Sequence, residues 1–150
     1  ENELADIIYL YWEESYSRKI ASAIVQQRKK QKISTTKHLA VLVLQATNKT
    51  SKSNYRIHPA TRTFQALRIV VNDELNNINH LLNASLDLLK PGGRNVCISF
   101  HSLEDRLVKN FFKQNLTPIT KKPVQANEKE LTTNPSSRSA KLRAARKSLS

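Results

Sequence analysis

The stretch Asn95-Val-Cys-Ile-Ser-Phe-His-Ser-Leu-Glu-Asp-Arg106 decides the fold class. Its first half, Asn95 to Phe100, is rich in β-branched and aromatic side chains and short enough to be a buried strand of an α/β sheet. Its second half opens a helix. Ser102 is placed to N-cap it, Glu104 and Asp105 sit in the first turn where the dipole favours acids, and Leu103, Leu107, Val108, Phe111 and Phe112 supply an apolar face. In open α/β sheets the carboxyl ends of strands border the ligand crevice. His101 and Ser102 therefore carry two open readings: pocket residues, or a hydrogen-bonded structural histidine beside a serine that merely caps.

Upstream of that junction lie the only two glycines of the chain, Gly92-Gly93. A chain without glycine elsewhere cannot close a backbone loop around a nucleotide or dinucleotide phosphate, so a cofactor site of that kind lies outside these residues. The glycines stop the longest predicted element. His58-Pro59 opens it, proline being suited to a first helical turn, and Phe64, Leu67, Val71, Leu75, Ile78 and Leu82 step by three and four as a core stripe that extends to Leu86 and Leu89.

The chain ahead of His58 also reads as helical. From Glu3 to about Gln31 the apolar residues Leu4, Ile7, Ile8, Tyr11, Tyr16, Ile20, Ala23 and Ile24 recur at helical spacing, with a phase change near Ser15 that predicts two helices or one kinked helix. Trp12 and the tyrosines suit base stacking, although aromatics at this spacing are more often core. Ser34-Thr35-Thr36 is an N-cap signal before a short helix through Leu39, Leu42, Val43 and Ala46, and residues 48–56 read as a polar linker. After the junction, residues 116–139 contain Pro118, Pro123 and Pro135 and read as an irregular loop. Ser139 to Leu149 is helical by propensity alone.

The net charge of +13 is segregated along the chain. Residues 1–14 carry acids and no base, 15–72 carry many Lys and Arg and no acid, 73–105 are mildly acidic, and 106–150 are basic again except for Glu128 and Glu130. A surface that only confers solubility intersperses both signs, so the long cationic run points to nucleic acid ahead of a membrane surface or an acidic protein. The lone Cys97, in Val96-Cys97-Ile98, reads as a small buried hydrophobe in a reducing compartment. No apolar run approaches a bilayer span, so no membrane partner is expected and the expected location is cytoplasmic. Four separated histidines and one cysteine offer no metal-ligand spacing. The chain begins at Glu1 and contains no methionine, so its native start is expected upstream.

Four segments in order carry a resemblance: His58-Pro-Ala-Thr-Arg-Thr-Phe-Gln-Ala-Leu-Arg-Ile-Val-Val-Asn-Asp-Glu-Leu75, Lys90-Pro-Gly-Gly-Arg94, Ile98-Ser-Phe-His-Ser-Leu-Glu-Asp-Arg106 and Asn134-Pro-Ser-Ser-Arg-Ser-Ala-Lys-Leu-Arg143. They resemble the RsmH family, formerly MraW, of S-adenosylmethionine-dependent methyltransferases that act on the N4 amino group of a cytosine in small-subunit ribosomal RNA. The segment Tyr11 to Val25 is also similar to a helical segment of that family, with Trp12 where glycine is usual and Ser15 where a base is common.

The resemblance implies a partial doubly wound, Rossmann-like methyltransferase core with an inserted α-helical substrate domain. Residues 1–57 would be the later part of the insertion and 58–150 the returning core, with a terminal strand over Ser139 to about Lys147, against the propensity reading. S-adenosylmethionine would be bound by an upstream half, leaving no cofactor-binding residue here and this chain inactive alone. Methylating an exocyclic amine requires the cytosine to leave its stack and its nitrogen to meet the methyl sulfonium in line, while cations hold the RNA backbone. The phosphate-contact candidates are then Arg18, Lys19, Arg28, Lys29, Lys30, Lys32, Lys37, Arg62 and Arg68, the last two having the alternative of pairing with a carboxylate such as Asp73 or Glu74. His58, Asn72, His101 and Ser102 are candidates either to line the pocket or to support the residues that line it. The expected partner is small-subunit ribosomal RNA or the small ribosomal subunit, and an open sheet edge adds the expectation of a homodimer. The other reading is a stand-alone basic RNA-binding or ribosome-associated module without catalysis.

Overall fold

The computed structural model describes residues 1–12, 14–48 and 58–149, which fold as two compact units, Glu1–Glu74 and Leu75–Ser150. The expected linker at 48–56 falls, except for Asn48, outside the described residues, as does the expected boundary at 57. The division that the contacts make lies between Glu74 and Leu75 and so places the helix after His58 with the helices before it.

The first unit contains α1 (Asn2–Trp12), α2 (Ser17–Lys30), α3 (Thr36–Thr47) and α4 (Thr61–Val71). The phase change read near Ser15 is the break between α1 and α2. Ile8, Ile20, Ile24, Val43 and Ala60 are buried together, with Leu4, Tyr16, Leu39 and Phe64 packed against them. The α3 cap forms as its residues dictate: the Thr35 side chain accepts the His38 amide at 3.1 Å, and Asn48 ends the helix in the left-handed region at φ 52°.

The single helix expected from Pro59 to Leu89 is two. It breaks at Asn72-Asp73, where Asp73 takes φ 50°, and α5 (Glu74–Leu88) starts afresh. Pro59 precedes the helix in a turn, and α4 begins at Thr61. The expected stripe is also corrected, because α4 buries Thr63, Ala66 and Ile69 while Val71 is 81% exposed. A stripe drawn through the break carries the wrong phase on one side of it.

In the second unit, β1 (Arg94–Ser99), α6 (Ser102–Asn115), β2 (Thr117–Pro118), α7 (Glu128–Thr133), a 3-10 turn (Pro135–Ser139) and β3 (Lys141–Arg146) follow α5. The sheet is antiparallel with strand order β1-β3-β2, so the terminal strand lies between its neighbours. Val96 faces Ala144 and Ile98 faces Leu142 across the ladder. The terminal segment is thus a strand, as the resemblance implied and its helical propensity did not. Leu82 of α5, Val108, Phe111 and Phe112 of α6, Leu116 and Ala145 of β3 form the core, with Cys97 of β1 packed against it. The expectation of a buried β1 is corrected: on one face Asn95 and Cys97 are half-buried and Ser99 buried, while Val96, Ile98 and Phe100 alternate outward and are exposed.

Gly92, at φ 76°, forms the turn before β1 and donates its amide to the Lys147 carbonyl at 3.1 Å. Lys147 in turn donates its Nζ to the carbonyls of Leu86 and Leu89, at 2.6 and 2.9 Å, and so satisfies the end of α5. The loop expected over 116–139 carries β2, α7 and the 3-10 turn, and an isolated bridge joins Val124 to Leu142.

Candidate functional site

At the β1–α6 junction the sequence folds around a histidine. His101, not Ser102, is the N-cap of α6: its Nδ1 accepts the Glu104 amide at 3.4 Å, while Glu104 Oε2 accepts the amides of Phe100 and His101 at 2.8 and 3.2 Å. This is a capping box with an imidazole in the serine's role, which corrects the expectation for Ser102. An accepting Nδ1 leaves the proton on Nε2, which lies 3.2 Å from Glu104 Oε1. Burial alone would raise the Glu104 carboxyl, but hydrogen bonds from the His101 side chain and the two amides outweigh it and bring its pKa down to about 2.

One residue on, Asp105 is buried and accepts from Arg143 of β3 through two parallel bonds at 2.7 and 3.0 Å. Those bonds hold its carboxyl below the ordinary range, and Lys141 adds a cation 3.9 Å away. His101 is buried and Ser102 exposed, so the two pocket candidates of this unit occupy different surroundings on adjacent residues. The sequence reading did not select Glu104, Asp105 or Arg143 as a set. Its available signal was the acid pair in the first turn, since a buried acid needs a cation and Arg143 is a basic residue in an otherwise apolar-facing strand position.

In the first unit the described phosphate-contact candidates divide by whether a carboxylate meets them. Arg18, Lys19, Arg28, Lys29, Lys30, Lys32 and Lys37 are exposed. Arg28 and Lys32 edge an open groove of about 470 Å³ floored by Leu4, Ile24, Ile33, Leu39 and Leu67. Arg62 and Arg68 are exposed as well, but each meets a carboxylate: Arg68 forms two bonds with Glu74, at 2.7 and 3.0 Å, and Arg62 lies 3.9 Å from the buried Glu14. His58 and Asn72 stand at opposite ends of α4, a helix of 11 residues and so roughly 16 Å long. His58 Nδ1 accepts the Ala60 amide at 3.2 Å, and the Asn72 side chain reaches Glu74 at 3.3 Å. These two are therefore not neighbours in one pocket.

The model of the MraW methylase family matches residues 1–148. The chain belongs to this family. Among the curated relatives of this MraW methylase chain are proteins named ribosomal RNA small subunit methyltransferase H. The one from Deinococcus deserti is 56% identical over 147 residues, covering 97% of this chain and 48% of the relative. The one from Persephonella marina is 49% identical over 150 residues, covering 97% of this chain and 51% of the relative. The chain spans about half the length of the curated relatives it matches.

For an MraW methylase chain the question is what part of the methyl donor's site these residues could form. The glycine turn and the β1–α6 junction do not fit the group. The amides of Gly92 and Gly93 are bonded to the carbonyls of Lys147 and Lys90, and the carboxylates at the β1–α6 junction are engaged by His101 and Arg143. Neither an open backbone cradle nor an uncommitted acid stands at the strand end for a nucleoside's hydroxyls. Among the described residues no helix is long and apolar enough to cross a membrane.

Proposed function

We propose that this chain is the RNA-recognising and core-completing part of an S-adenosylmethionine-dependent enzyme that methylates the N4 amino group of a cytosine in small-subunit ribosomal RNA. The observation that carries the reading is the family match over residues 1–148, made by a chain about half as long as relatives named for methylating that RNA. The exposed cations of the helical unit hold the phosphate backbone, and the α6 junction completes a doubly wound core whose cofactor-binding half lies upstream. His101 acts through the cap: with its Nδ1 committed to the backbone it fixes the end of β1, where an open α/β sheet presents its ligand crevice. On this reading the chain alone is inactive, its location is the cytoplasm, and its partner is the small subunit's RNA.

The alternative, an RNA-binding module without catalysis, draws on the separate core of the helical unit and its exposed bases. Calorimetry with S-adenosylmethionine separates the readings. These 150 residues give no binding heat, whereas a polypeptide of the relatives' full length that contains them binds and transfers a labelled methyl group to small-subunit RNA. Tight binding by the short chain overturns the upstream placement of the cofactor. A long polypeptide that binds RNA but transfers nothing favours the module.

A further inference from the structure

The helical unit has a second cavity, of about 420 Å³, between α1 and the start of α2. We propose that it receives one unpaired nucleotide of an RNA strand, with the base against Tyr9 and the phosphate against Arg18 and Lys19. The proposal rests on the RNA-binding reading of this unit and gives that reading a subsite.

Tyr9 is the first reason. Helix α1 buries Ala5 and Ile8 in the core, while Tyr9, which also lines the cavity, is 54% exposed. A large ring that the core does not use, on the wall of a cavity of ligand size, is a stacking surface in waiting. Tyr16, just ahead of α2, lines the same cavity and is itself packed against the core, so its position is fixed.

The second reason is the distribution of charge around the same cavity. Arg18 and Lys19 occupy the first turn of α2, where local helix electrostatics favour acids and where α2 has none. Lys19 Nζ lies 5.7 Å from the centre of the Tyr16 ring, a cation over an aromatic face, and Arg18 is exposed. Asp6, three residues before Tyr9 on α1, lines the cavity too. A phosphate is repelled from Asp6 and drawn to the two cations, whereas the Watson–Crick edge of an unstacked base, such as the ring N3–H of uracil, can donate to that carboxylate. The cavity is therefore polarised: the base lies at the Tyr9 and Asp6 end, the phosphate at the Arg18 and Lys19 end. A double helix keeps its bases stacked inside and cannot present one here, which selects a single strand.

The test uses the whole chain and two probes, a fluorescein-labelled oligouridylate and inorganic polyphosphate, a polyanion with no base to stack. Tyr9→Ala weakens the oligouridylate about five- to one-hundred-fold, the usual worth of one stacked base, and leaves polyphosphate binding unchanged. Tyr9→Trp keeps oligouridylate affinity within about twofold of the parent, since any aromatic face serves. Arg18→Gln combined with Lys19→Gln weakens both probes. Because Tyr9 is half exposed and outside the buried cluster, its replacement leaves the far-ultraviolet circular dichroism as it was. Equal oligouridylate affinity in Tyr9→Ala and the parent overturns the subsite and leaves the RNA reading standing. A parent chain that does not bind the oligouridylate at all overturns the RNA reading, and the subsite falls with it.

Discussion

Glu104 combines three tasks in one carboxylate: it accepts the amides of Phe100 and His101 and faces the His101 imidazole. Its folded pKa of about 2 lies below its unfolded value, so its stabilisation is complete above the unfolded pKa and is lost as pH falls through the folded one. Asp105, also lowered, adds to the loss in the same acid range. The urea midpoint of the unit containing α6 is expected to hold steady near neutrality and fall from about pH 5 toward about pH 2. Glu104→Gln, which keeps an acceptor but no charge, lowers the unfolding free energy at neutral pH by about 1 kcal/mol and flattens the acid limb. A variant with the parent's full acid slope would show that the carboxylate is not the group being titrated. The acids of the first turn were legible in the sequence, but the histidine cap was not. Serine is the preferred cap and Ser102 was the natural choice, but a buried imidazole whose Nδ1 lacks a proton does the same work one residue earlier.

The link between α6 and β3 rests on Asp105 and Arg143, two side chains that the ladder and the helix bring together from 38 residues apart. Truncating Asp105 to alanine leaves Arg143, 8% exposed, without its bidentate partner, and the expected cost is about 3–5 kcal/mol by urea denaturation. Replacing both, Asp105→Ala with Arg143→Met, recovers much of that loss because no buried charge remains. A double variant as unstable as the sum of the single ones would show that the pair is not coupled. The same strand marks the limit of local reading. Lys141 to Arg146 has helical propensity, and it is a strand because the slot between β1 and β2 satisfies its amides and buries Ala145. The break between α4 and α5 was hidden for the opposite reason: the apolar spacing runs on through Asp73, and only its left-handed backbone interrupts it. The α1–α2 break, the α3 cap and the helix after β1 were legible, each from a residue type whose local chemistry tertiary packing did not overrule.

Across the whole molecule the segregated charge is the property most directly carried from sequence to structure, yet the sequence counts every cation alike and the structure does not. In the helical unit all of these cations are exposed, but Arg68 is paired with Glu74, whereas Arg28, Lys29, Lys30 and Lys32 cluster around the end of α2. Which base faces a polyanion depends on where the carboxylates fold, and Glu74 belongs to a different element from Arg68. RNA binding by the intact chain should fall steeply with salt, each phosphate contact contributing roughly 0.7 to the slope of log affinity against log salt for a single strand. Replacing Arg28, Lys29, Lys30 and Lys32 by glutamine should therefore reduce that slope by about three if each meets a phosphate. Arg68→Gln should leave the slope unchanged, because its guanidinium is already neutralised within the unit. Were Arg68→Gln to flatten the salt dependence as much as the replacement of an exposed base, the ion pair with Glu74 would have to open on binding, and the cationic face would extend along α4.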